Sequence, residues 1–346
     1  MTKILLVQTF QGIGDFMVTL PFQKELKRIF PDSEVHALVL GHSRFIPFYK
    51  ITPHIDKVIV YDKFGKHSGL FNQFRLLLSL RREKYDYGFN FHPAKRYILA
   101  MWLSGIKKTI GYSYSKFWGK FLDILIPGDY DSEFSNKFYA NKTHAIVNNL
   151  YFLKKWGGDY SFKYTVNRLI DKNKLSVYFN IEVKKTYIAI SPGSRDEKKR
   201  WPIKKFITLC KKIKEKYDYN LVFIGSPKEG ERFESLKGEF PNDFFAMGKR
   251  FSILSSAAII SESILLISND QGSVHIASAL AVPAISIGPV NPGVWRPWSK
   301  GSSYLIKELE CSKNCKGSDL CDDYRCCKEI SVESVFEKVK ETLGYV

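Results

Sequence analysis

Short apolar runs alternate with helix-spaced stretches, and this alternation occurs twice along the chain. The first series holds Ile4–Thr9, Glu34–Leu40, Lys57–Tyr61, Tyr87–Phe91 and Lys108–Tyr112, bounded by turn residues. After its first run, Phe16, Leu20, Leu26 and Phe30 keep helical spacing, with Pro21 expected to start, bend or interrupt that helix. The second series holds Thr186–Ile190, Asn220–Ile224, Ile264–Ser268 and Pro283–Ile287. Between its first two runs, a helix from Pro202 carries Ile203, Phe206, Ile207, Cys210, Ile213 and Tyr217 on one face. A further helix is expected from Val274 to Leu280. Such a pattern predicts an α/β fold of two doubly wound parallel sheets.

A length of 346 residues exceeds one ordinary core and suits two domains. The weakly patterned, polar stretch near 160–185 divides them, giving domains 1–170 and 171–346. The final helical pattern, Ser331–Leu343, is a candidate to cross back to the first domain. Two such domains are expected to hold a ligand in a cleft at the carboxyl ends of both sheets. Hydrophobic residues at 45% and charged residues at 25% exclude disorder as the main theme.

No run approaches the roughly 20 apolar residues of a membrane span. The longest, Tyr97–Ile106, stops at Lys107-Lys108, and the N-terminal MTKILLVQTF reads as a strand rather than a signal peptide. A cytoplasmic protein is expected, with a membrane surface as a candidate resting place. Lys and Arg number 53 against 35 Asp and Glu, a net charge of +18. Residues 1–170 hold 25 basic and 13 acidic side chains (+12), and the remainder 28 and 22 (+6). The basic first half fits a phosphorylated substrate or an anionic membrane face, or simply a lysine-covered surface. No DNA- or RNA-binding module accompanies the charge, so no nucleic-acid partner is expected. Of six cysteines, Cys311, Cys315, Cys321, Cys326 and Cys327 crowd together without the paired C-x2-C elements of a zinc ribbon. Metal binding, disulfide or redox chemistry, and local packing all stay open there.

The candidate chemistry sits where strands end. Gly12-Ile-Gly14-Asp15 lacks the third glycine of a dinucleotide fingerprint, which disfavours an NAD-linked oxidoreductase. Gly12 and Gly14 permit close ligand approach, and Asp15 reads either as a helix cap or as a general base. The segment Ser191–Pro202 offers Ser194 and the cations Lys198, Lys199 and Arg200 just before a helix, which suits a diphosphate as well as a solvated loop. The segment Asn269–His275 repeats the logic: Asp270, Gly272 and Ser273 lie at a strand end, and His275 either donates to a phosphate or packs. Glu229 and Glu231 are candidates for ribose hydroxyls or simply for solvent. Lys95 and Arg96, after the strand at 87–91, should emerge beside the acceptor, with Lys107 and Lys108 among the same cationic set.

These motifs, in order, are Gly12-Ile-Gly-Asp15, Pro192-Gly-Ser194 with Lys199-Arg-Trp-Pro202, Ser268–Leu280, and Gly288–Pro292 with Trp295-x-Pro297. Together they resemble glycosyltransferase family 9, best known for ADP-heptose:lipopolysaccharide heptosyltransferases. The resemblance implies a GT-B architecture: two Rossmann-like domains facing a central cleft, acceptor on the first and nucleotide sugar on the second. It implies an inverting, metal-independent transfer of a heptose or related sugar from an ADP-sugar to a lipopolysaccharide core or other lipid-linked, anionic saccharide. No cofactor is implied beyond ADP-heptose as substrate, and the expected location is the cytoplasmic face of the inner membrane. Carried over, Asp15 matches the proposed base and Lys199 the phosphate-contacting lysine. Gly272, Ser273 and His275 match the diphosphate loop, and Glu229 the ribose contact. Two departures stand out, Gln271 for the usual Thr and Ser273-Val274 for Pro-Met. A transferase of another nucleotide sugar and a non-catalytic nucleotide-sugar-binding protein remain the alternatives.

Overall fold

The computed structural model describes residues 1–113, 115–127, 144–157, 168–179, 186–226, 229, 233–289, 295–314, 321 and 323–344. The chain divides into two units, Met1–Phe162 and Lys163–Val346. The division falls earlier than the expected 170/171. Arg168 and Leu169 belong to the second unit because Nε of the one and N–H of the other donate to the carbonyls of Leu280 and Ala279, at 3.2 and 2.8 Å.

The first unit is a six-stranded parallel sheet of β1 (Lys3–Gln8), β2 (Glu34–Leu40), β3 (Lys57–Tyr61), β4 (Tyr87–Asn90), β5 (Lys108–Ser113) and β6 (Ile124–Pro127). Its order is β3-β2-β1-β4-β5-β6. β1 and β2 are apolar almost throughout because helices cover both faces of the sheet. The stretch after β1 splits into α1 (Ile13–Met17) and α2 (Leu20–Ile29), and Pro21 stands in the first turn of α2. On one face Phe22 of α2 meets Phe89 and Phe91 at ring distances of 5.1 and 5.0 Å. Phe152 of the later helix Ala145–Trp156 stacks on Phe91 at 4.9 Å. On the other face, α3 (Gly69–Glu83) and α4 (Lys95–Leu103) cover Leu5, Val7, Leu38 and Leu40 with Leu80, Tyr97 and Met101.

The second unit repeats the plan with β7 (Tyr187–Ser191), β8 (Asn220–Ile224), β9 (Phe244–Ala246), β10 (Leu265–Asn269), β11 (Ala284–Ile287) and β12 (Ser303–Leu305). The order is β12-β11-β10-β7-β8-β9, all parallel. The run at 283–287, expected to close the sheet, is followed by β12 at the edge. The helix Ile203–Lys216 buries Phe206, Leu209, Cys210 and Ile213 against this sheet. The last helix, Val332–Gly344, packs beside it and contributes Val335 and Val339 to the same core. Both sheets reverse strand order beside their first strand, at β1/β4 and at β7/β10. Ligands of doubly wound sheets bind outside the carboxyl ends at such a reversal.

Candidate active site

In the first unit the β1/β4 reversal gathers the turn 9–12, α1, and the start of α4. Asp15 is not the helix cap; Gly12 holds that position, and Asp15 is the third helical residue. Its half-buried carboxylate bends back over the turn. Burial raises its pKa, and the backbone N–H groups of Gly12 and Asp15, which lower it, offset this only in part. A carboxyl held this way retains a proton more readily than an exposed one, the property a general base needs. Gly14 lies one residue before it in α1. Beneath, the buried Gln8 amide donates to Thr19 Oγ1 at 2.9 Å and accepts from the Tyr49 hydroxyl, so the end of β1 is fixed by side chains.

Lys95 and Arg96 open α4 at the carboxyl end of β4 and are exposed. Lys95 lies 5.8 Å from the Trp118 ring and Arg96 4.8 Å from the Tyr97 ring. His92 beside them is kept below its ordinary pKa by burial and by the Arg96 charge. Lys107 and Lys108 do not share this edge. They stand where β5 begins, at the opposite end of the sheet, and Lys107 pairs with Asp86 at 2.7 Å.

In the second unit the β7/β10 reversal brings together the loop 192–201 and the helix Gly272–Ala279. Asn269, fully buried, ties them. Its amide nitrogen donates to the carbonyls of Pro192 and Gly193 at 2.6 and 3.1 Å, and its oxygen accepts from Trp201 N–H at 2.9 Å. Sequence reading assigned Asn269 no role, because its partners lie some 70 residues earlier; only its place at a strand end marked it. The Gln271 amide donates to the Ser191 carbonyl at 3.2 Å and to its hydroxyl at 2.7 Å. The residue that departs from the family pattern therefore cross-links the ends of β7 and β10.

The three expected cations part company here. Arg200 donates twice to the carbonyl of the buried Ser194, at 3.0 and 2.7 Å, and once to Glu197. Lys198 is exposed, whereas Lys199 is half-buried and its charge acts on Asp270. Burial pushes the Asp270 carboxyl up, against the pull of Lys199 and a hydrogen bond from Tyr304. The Tyr304 hydroxyl, another group the sequence did not single out, has one proton to share between this carboxylate and the Pro289 carbonyl at 3.1 Å.

Gly272 and Ser273 begin the helix Gly272–Ala279, so their N–H groups precede any intrahelical carbonyl that could accept them. The Ser268 hydroxyl spends its one proton on the Asn269 carbonyl at 2.7 Å, so in the 2.9 Å pair Ser273 is the donor to Ser268. What Ser273 offers an anion is its backbone N–H. His275 is buried, with Trp298 stacked at 5.7 Å and Trp295 edge-on at 5.8 Å, so tryptophan packing fixes its ring. Glu229, 8% exposed, accepts from Ser226 N–H at 2.7 Å and lies against Gly193, where no side chain would fit. Glu231 lies outside the described residues.

Cys210, Cys326 and Cys327 are buried free thiols, Cys321 is partly exposed and Cys311 exposed; Cys315 lies outside the described residues. Burial pushes the Cys327 thiol up to about 12, and it donates to the Lys199 carbonyl at 3.3 Å. Among the described residues, no three His, Cys, Asp or Glu side chains gather to hold a metal, and no helix is long and apolar enough to cross a membrane.

The model of glycosyltransferase family 9 (heptosyltransferase) matches residues 73–325. The chain is 26% identical to lipopolysaccharide heptosyltransferase 1 of Campylobacter coli, across 99% of each chain. It is 25% identical to lipopolysaccharide heptosyltransferase 3 of Escherichia coli, across 83% of this chain and 84% of that one. Its fold is that of the glycosyl transferase family 9 structure from Veillonella parvula DSM 2008, with TM-score 0.79, 22% identity, and 100% and 98% of the two chains covered. The E. coli heptosyltransferase WaaC with ADP is also similar, with TM-score 0.76, 16% identity, and 99% and 100% covered. The fold of the chain is thus GT-B, the architecture of two parallel doubly wound sheets described above. With most of its length matched, the chain belongs to glycosyltransferase family 9 and is a glycosyltransferase.

Proposed function

We propose that the protein transfers heptose from ADP-heptose to a lipopolysaccharide core acceptor, with inversion at the anomeric carbon and without a metal. The observation that carries the reading is Asp15, a half-buried carboxylate of raised pKa at the β1/β4 reversal. An inverting transfer needs one such group to take the acceptor proton as the anomeric carbon is attacked. The relatives named lipopolysaccharide heptosyltransferases support the substrate class, as does a solved neighbour that holds ADP.

In this reading Lys199 and the N–H groups of Gly272 and Ser273 take up the charge of the departing diphosphate, the task a metal performs elsewhere. His275, packed against two tryptophans, and Ser194 shape that pocket, Asp270 orients Lys199, and Glu229 receives the ribose hydroxyls. Gly14, Lys95 and Arg96 face the acceptor phosphates. The enzyme works in the cytoplasm, at an anionic membrane face where a lipid-linked acceptor resides.

The test is to offer ADP-, UDP- and GDP-sugars and measure binding, nucleotide release and product configuration, with and without a chelator. Selective ADP-heptose turnover with an inverted product, unaffected by chelation, is expected. Turnover of another nucleotide sugar, binding without transfer, or activity lost to the chelator and restored by magnesium would contradict it.

A further inference from the structure

The 15-residue helix α3 buries Leu80 fully and turns several of its apolar side chains outward. Leu70, Phe71, Phe74 and Leu78 are 87, 71, 56 and 38% exposed, and Phe64 just before the helix is 80% exposed. Their spacing makes one stripe along the outer face. The stripe continues sideways, because the Arg81 guanidinium donates to the Leu103 carbonyl at 3.3 Å and α4 exposes Trp102 and Leu103 there. A contiguous apolar patch of this kind marks an interaction surface.

Its charge says what lies opposite. From Lys63 to Arg82 the chain carries five cations, Lys63, Lys66, Arg75, Arg81 and Arg82, and no Asp or Glu. All five are exposed. The acids at either end are committed. Asp62 accepts from the N–H groups of Gly65 and Lys66, and Glu83 is held near pKa 2 by Lys57 and Lys3. The cations sit among the apolar groups, with Lys63 5.5 Å from the Phe64 ring and Arg75 5.8 Å from the Phe71 ring. At the end of the stripe a recess is lined by Leu78, Arg81, Arg82, Lys84 and Lys107, of which Lys107 is already paired with Asp86.

We propose that the outer face of α3, extended by Trp102 and Leu103, docks on an anionic phospholipid surface; this rests on the reading of a lipid-linked acceptor. Interleaved aromatic and cationic side chains on an exposed helix are the composition that settles at a headgroup boundary. A second copy is disfavoured, since a two-fold contact would set five cations against five. The topology gives the surface a use. β3 ends at the carboxyl edge of the sheet, so Phe64, Leu70 and Phe71 emerge toward the edge that carries Asp15 and Lys95. A bilayer on α3 would present its headgroups beside that edge.

The experiment is flotation of the full chain with vesicles of phosphatidylethanolamine and phosphatidylglycerol, against vesicles of phosphatidylcholine alone. The protein should float with the first and stay behind with the second. Phe71→Ser with Phe74→Ser should lower the partition by about tenfold or more. Arg75→Glu with Arg82→Glu should lower it by at least about 30-fold, at roughly fivefold per cation removed. Both variants should keep the melting temperature and the turnover of a delipidated, water-soluble acceptor. Failure to bind the anionic vesicles, or binding that survives both pairs of substitutions, would overturn the proposal. So would a dimer on sedimentation that Phe71→Ser with Phe74→Ser dissolves. Vesicle binding needs no donor, so it can hold while sugar transfer fails, or fail while transfer holds.

Discussion

The Asp15 carboxylate occupies the space that a β-carbon on Gly12 would need, so the turn closes over the acid because residue 12 has no side chain. A methyl group there must push the carboxylate away. Gly12→Ala is therefore expected to lower kcat by about 100-fold, the cost of a misplacement of roughly 1 Å, while ADP affinity stays unchanged. Steady-state kinetics with calorimetric titration of ADP checks this.

Burial raises the Asp15 pKa, which fixes two signs of pH dependence. A base must be ionised, so the acid limb of the kcat/KM profile should lie above the ordinary carboxylate range and vanish in Asp15→Asn. For stability the sign is opposite to that of a paired carboxylate. The native carboxyl keeps its proton where the unfolded chain has already lost it. The contribution to stability is thus lost as pH rises from the ordinary value through the raised one. Asp15→Asn should accordingly leave the melting temperature at neutral pH unchanged or higher. A carboxylate that serves only to accept from the Gly12 N–H at the helix start predicts instead a loss of about 1 kcal/mol.

Gly193 and Glu229 repeat the relationship in the second unit, where the Glu229 carboxyl group lies against a glycine with no room for a side chain. Gly193→Ala should displace the carboxylate from Ser226 N–H and weaken ADP binding by about tenfold, the loss of one charge-assisted hydrogen bond. Adenine nucleotide lacking the ribose hydroxyls should bind both proteins equally. Titration of ADP and its dideoxy analogue reads out the difference.

How much of this was legible beforehand follows from where residues find their partners. β1, β2, β7, β8 and β10 are apolar runs because both faces of each are covered, and their bounds were readable to within a residue or two. β6, β9 and β12 are edge strands of three or four residues, too short for any pattern to stand out. Nothing in the sequence marks α3, because its apolar residues do not gather on the buried face. Asp15, Lys199 and Gly272 lie at strand ends, which the order of motifs reveals. Asn269 and Tyr304 act through partners far along the chain, and nothing local in the sequence announces that. Lys107 shares the charge of the acceptor set, but the topology places it where β5 begins, paired with Asp86.

Lys95 and Arg96 stand exposed at the carboxyl end of β4, where their charge acts through solvent. At a Debye length of about 8–10 Å such cations are strongly screened. Acceptor KM should therefore rise steeply with salt, and Lys95→Glu or Arg96→Glu should raise it further without altering ADP affinity. Reversing Arg96 should also raise the His92 pKa, since the Arg96 charge helps to lower it. Kinetics over a salt series, with an NMR titration of His92, checks both effects.

The central claim is that Asp15 deprotonates the acceptor during sugar transfer from ADP-heptose. Single-turnover transfer by Asp15→Asn, with the donor Kd measured on the same preparation, tests it most directly. The account predicts a rate lower by about 10²–10⁴-fold, the contribution of a general base, with donor Kd and melting temperature undiminished. A variant that still transfers heptose at close to the wild-type rate would contradict it.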